Sequence, residues 1–137
     1  MTTSKAPSRN RAPLNLAMGL VGLACVVVLT VNGIFEWTDA LAIPLGLLIF
    51  LVLVVMYFTR RSDEYTLELW SAGANAAFGV MLLSLILGPF VYGISEGFNA
   101  AHEGREAEFD FPWSLVPSLA IMAFFLTFNI KRLTGAM

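Results

Sequence analysis

His102, the single histidine of the chain, stands beside Glu103 and four positions before Glu106. On a helix, His102 and Glu106 would share a face, and an imidazole with carboxylates is a donor set that a divalent metal accepts. One imidazole in an acidic, glycine-containing stretch is a sparse site. The expected state of Glu96–Asp110 is a solvated loop, held extended by its own negative charge, with no metal assigned. Glu64 and Glu68 form a second acidic pair, also four apart. Glu68 is the carboxylate nearest an apolar stretch, which would suit a proton or cation site. The same residues also read as the first turn of a helix, offset by Arg60 and Arg61 and placed where the helix dipole favours acids.

Other chemistries have less to work with. Cys25 is the only thiol and lies in an apolar run, where it should be inert, so internal disulfides and cysteine-cluster metal sites are excluded. Two-histidine haem ligation needs a second imidazole. No glycine-rich phosphate loop follows a strand. Three polar residues within apolar runs, Asn75, Ser84 and Asn129, are candidate pore-lining groups, or hydrogen-bond donors between helices. The first run offers only Asn15, Thr30 and Asn32 and no carboxylate, which lowers the expectation of ion-coupled transport. No cofactor is expected.

These residues are positioned by a chain built for lipid. Of 137 residues, 58% are hydrophobic and 13% charged, about half the charge of a soluble domain. Mean hydropathy is +0.76. Net charge is −2, so no basic excess points to nucleic acid. Four stretches, about Leu14–Phe35, Leu41–Phe58, Leu69–Ile94 and Phe111–Ile130, approach the ~20 residues that cross a bilayer as a helix. Strands of that length do not occur in lipid-facing barrels. The expected fold is all-α, an integral membrane four-helix bundle made of two hairpins. Residues 13–132 form its one domain, between a disordered tail (1–12) and a short C-terminal tail (133–137).

Seven of the eight Lys and Arg residues fall on one side: Lys5, Arg9, Arg11, Arg60, Arg61, Lys131 and Arg132, with Arg105 alone on the other. The positive-inside rule then puts both termini in the cytoplasm. A cleaved signal peptide ending near Ala40-Leu41-Ala42 is the rival reading. The first apolar run, 22 residues from Leu14 to Phe35, exceeds the ~7–15 of a signal core.

Aromatic residues gather at the two expected boundaries: Tyr57, Phe58, Tyr65 and Trp70 at one, and Trp37, Tyr92, Phe98, Phe109, Phe111 and Trp113 at the other. This is the distribution of interfacial belts. Small residues concentrate in the third span, where Gly73 with Ala77, and Ala72 with Ala76, make a flat helix-packing face. Packing within the chain is the first use of such a face; contact with a second copy or a larger membrane protein is the other. Gly93 and Gly97 repeat the spacing. Gly88-Pro89 predicts a kink or local opening, whereas Pro44 falls in a first turn, where proline is tolerated. Ser62 or Asp63 should cap the third helix.

Arg61-Ser62-Asp63-Glu64-Tyr65, with Leu67, Trp70, Gly73, Ala77-Phe78 and Tyr92-Gly93, resembles a group of small, uncharacterised bacterial inner-membrane proteins. In these an Asp-Glu-aromatic start opens a helix rich in small residues. The resemblance covers about a quarter of the chain. It implies four helices and a bacterial inner-membrane location, and carries no activity and no site residue. The expected function is that of a non-enzymatic accessory, scaffold or regulatory subunit acting through helix packing. Its partners would be the lipid bilayer and a second copy or a larger membrane protein, not nucleic acid. The alternative is a small oligomeric channel or transporter.

Overall fold

A computed structural model describes residues 11–35 and 38–135. Residues 1–10 of the expected disordered tail 1–12, with Glu36, Trp37 and the last two residues, lie outside the described residues; Ala12 of that tail already belongs to α1 and is buried. Four helices follow in order: α1 Ala12–Phe35, α2 Ala42–Thr59, α3 Glu64–Glu103 and α4 Leu115–Thr134, with a short 3-10 turn at Asp39–Leu41 before α2. All four are long and apolar enough to cross a membrane. Pro13, Pro44 and Pro117 each sit in a first turn, where the missing N–H has no intrahelical partner to lose.

The chain folds as two antiparallel hairpins, α1 with α2 and α3 with α4, joined where α1 lies against α4. The closest neighbours therefore follow the order α2, α1, α4, α3, and α2 comes back near α3 where Tyr57 meets Trp70. Arg11, Arg60, Arg61, Lys131 and Arg132 share one end, here called the basic end; the α3–α4 connection forms the acidic end. Phe125 and Phe128 are fully buried at the centre, with Phe124, Met56 and Leu69 around them. The seam depends on two glycines: Phe128 lies over Gly19 and Phe125 over Gly22, so closely that no side chain fits at either position.

Two boundaries differ from expectation. The stretch expected to begin a loop at Glu96 stays helical through Glu103, giving α3 40 residues, or about 60 Å at ~1.5 Å per residue. Acidic composition alone does not end a helix. Gly104 ends it, at φ 68°, a left-handed conformation that glycine adopts without strain. α4 begins at Leu115 rather than Phe111, because the apolar onset at Phe111-Pro112-Trp113 is a turn. At Gly88-Pro89 the helix is not interrupted: α3 runs through Pro89 as continuous helix. Asp63, not Ser62, is the cap: its side chain accepts from the Thr66 amide at 2.7 Å, and the Thr66 hydroxyl completes the box.

Candidate functional site

At the basic end, buried polar groups tie three helices together. Asn15 of α1 is fully buried, and its Nδ2 donates to the Met56 carbonyl (2.9 Å) and to Thr59 Oγ1 (2.8 Å) on α2. Asn129 of α4 donates from Nδ2 to the Gly19 carbonyl (3.0 Å) and to the Phe125 carbonyl (2.8 Å). Arg132 reaches the Leu16 carbonyl at 2.9 Å. Both amides spend their two donors, and each Oδ1 is buried with no partner among the described residues. An unpaired buried carbonyl costs roughly 1–3 kcal/mol. The lattice thus fixes the register of α1 against its neighbours at some expense in stability.

Asn129, a candidate for a pore, therefore serves as a tie between α4 and α1. Asn75 is exposed on the outer surface of α3 and makes no hydrogen bond among the described residues. Ser84 is nine positions further on, half a turn around the same helix, so the three polar groups do not converge on one channel. Glu68 is paired with Lys131 at 2.5 Å, not with Arg60 or Arg61.

The small-residue stripe of α3 divides into two. Gly73 is buried under Phe124, where an added Cβ would lie 3.0 Å from the ring, and Ala77 packs against the core beside it. Ala72 and Ala76 are half-buried at the margin of this contact. Beyond them, Ser71, Asn75 and Gly79 recur every fourth residue on the side the chain leaves uncovered, and no atom lies within 4 Å of a Cβ built at Gly79. This row is the candidate site: a flat, weakly polar strip within an apolar span.

The acidic end holds no metal cluster among the described residues. His102 is exposed in the last turn of α3, and Glu106 lies past the helix end, so the two do not share a helical face. Arg105 folds back onto Glu96 (2.5 Å) and Glu103 (2.6 Å), clamping the connection. Tyr92, Phe109, Phe111 and Trp113 pack edge to face beside it, and Phe111 fits over Gly88. The Arg105 hydrogen bond, aided by the Glu108 amide, holds the Glu96 carboxyl below the usual glutamate range. A folded value below the unfolded one means the clamp contributes at neutral pH and is lost as pH falls through the folded value. The protection factor of the Glu108 amide, which donates to Glu96, is expected to hold at neutral pH and to be lost once the pH falls below the usual glutamate range. In Glu96→Gln that protection should be weak at every pH; equal protection in both proteins would discard the clamp.

Sequence reasoning missed Asn15, Thr59 and Arg132 as structural ties. Asn15 was visible only as a polar residue in an apolar run, and its partners lie 41 and 44 residues away. Comparison with known protein families, curated proteins and solved structures finds no match to this chain.

Proposed function

We propose that the chain is a small, non-enzymatic protein of the bacterial inner membrane with both termini in the cytoplasm. It works as an accessory, scaffold or regulatory subunit by laying the Ser71–Asn75–Gly79 strip of α3 against a helix of a second copy or of a larger membrane protein. The observation that carries this reading is Asn75: a side-chain amide exposed on the apolar part of α3, with no partner among the described residues. In hydrocarbon such a group gains about 1–2 kcal/mol when a facing helix supplies a donor and an acceptor. Ser71 and Gly79 on either side let a second backbone approach closely. The wide separation of the lone thiol, buried in α1, from the lone imidazole, exposed at the acidic end of α3, supports the non-enzymatic reading.

Native mass spectrometry after gentle extraction tests it. The wild type is expected to leave the membrane as a complex, with a copy of itself or with another protein. Asn75→Leu should weaken that complex about five- to thirty-fold, the equivalent of 1–2 kcal/mol, and Gly79→Ile more. A complex indifferent to both changes would overturn the assignment of the strip. Ion or amine flux in liposomes that Asn75→Ala abolishes would instead favour a channel or transporter.

A further inference from the structure

Between α2 and α3 lies a cleft of 540 Å³ that opens sideways. Its walls carry Phe50 and Leu53 on one side and Ala74 and Ala77 on the other, and its floor is Ala120 and Phe124 of α4. The three alanines leave the space that larger side chains would fill. At the basic end the cleft finishes under Tyr57 and Trp70. There Arg60 rests its guanidinium 3.5 Å above the Tyr57 ring and 6.0 Å from that of Trp70, and spends one N–H on the Tyr57 carbonyl. Arg61 follows. Among the described residues neither arginine forms an ion pair: Glu68 belongs to Lys131, and Asp63 caps α3.

We infer that this cleft is a binding site for an anionic phospholipid, with an acyl chain between α2 and α3 and the phosphate on Arg60 and Arg61. Along α2 from Phe50 to Phe58 the cleft runs about 12 Å at ~1.5 Å per residue, an apolar trough that ends beside the guanidinium of Arg60. The lining is almost wholly apolar, which excludes a polar solute. Charge selects the headgroup, because a guanidinium is suited to phosphate through paired N–H donors. Tyr57 orients that guanidinium without neutralising it.

Full-length protein in mild detergent, offered phosphatidylglycerol and phosphatidylcholine with identical chains, provides the test by native mass spectrometry. The wild type should retain phosphatidylglycerol at least fivefold over phosphatidylcholine. The double change Arg60→Gln, Arg61→Gln should bring the first down to the level of the second and leave the second unchanged, with Arg60→Lys restoring most of the preference. Ala77→Leu, or Val54→Phe from the opposite wall, should reduce retention of both lipids at unchanged helicity. Equal retention of the two lipids by the wild type would overturn the inference, as would a preference that survives loss of both arginines. So would a cleft-filling variant that folds and still retains lipid, or one that dissociates a dimer instead. Displacement of the lipid by inorganic phosphate alone would reduce the site to an anion site and equally overturn it.

Discussion

Replacing Gly22 with valine is expected to separate α1 from α4 and destabilise the protein by about 3 kcal/mol or more, at the upper end of overpacking penalties. Even a Cβ at this position would stand 2.0 Å from Phe125 Cε1 and 2.2 Å from Cζ, distances that real contacts do not reach. The ring has nowhere to go. Phe125 is fully buried, with Phe124 against it edge to face. The sign of the effect is diagnostic, because glycine to alanine within a helix ordinarily gains up to about 1 kcal/mol. Gly46, with nothing within 4 Å of a built Cβ, supplies the control: Gly46→Ala should be neutral or stabilising, while Gly22→Val lowers the denaturation midpoint in bicelles sharply. Similar midpoints for the two variants would mean that α1 does not cross α4 at these residues.

Removing the ring from the other side gives the second large effect. Phe125→Ala in a water-soluble core would cost about 3–5 kcal/mol. In lipid the transfer part of that cost shrinks, because the unpacked state is also apolar, and what remains is lost packing. About 2–3 kcal/mol is the expected loss by reversible unfolding in bicelles. The two sites must also couple. With the Phe125 ring gone, the methyl of Gly22→Ala enters open space, so the double variant should be more stable than Phe125→Ala alone, and the coupling should exceed about 1 kcal/mol. Additive losses would show that ring and glycine do not meet.

Much of this architecture can be read without coordinates, because the physical signal is strong and local. Uncharged apolar runs near bilayer length become helices whatever surrounds them, and α1, α2 and the Asp63 cap of α3 lie within a few residues of where composition puts them. Helix ends outside the apolar runs are harder. Glu96–Glu103 looks like solvated loop by charge, yet nothing in it stops a helix until Gly104, and Phe111 looks like the onset of a span because it is apolar, whereas its ring is needed against Gly88. The seam is harder still. Gly19 and Gly22 are three apart rather than four and attract no notice beside the longer stripe of α3. Their meaning depends on Phe128 and Phe125, more than a hundred positions later. Asn75 and Asn129 look alike in sequence, a lone amide in an apolar run. Only knowing which side of α3 faces α4, and which side of α4 faces α1, separates an outward-facing group from an inward tie.

The order in which the helices meet has a bearing on biogenesis. The ribosome releases α1 well before α4, yet the side chains that close the seam, Phe125, Phe128 and Asn129, all belong to α4. Until α4 is made, the hairpin of α1 and α2 stands with its glycine notch uncovered, and α3 has hardly anything to lean on. Closure of the seam therefore waits for α4. A product truncated before Leu115 would stay an open pair of fragments, distinguishable from the finished protein by any membrane protease that samples loosely held helices.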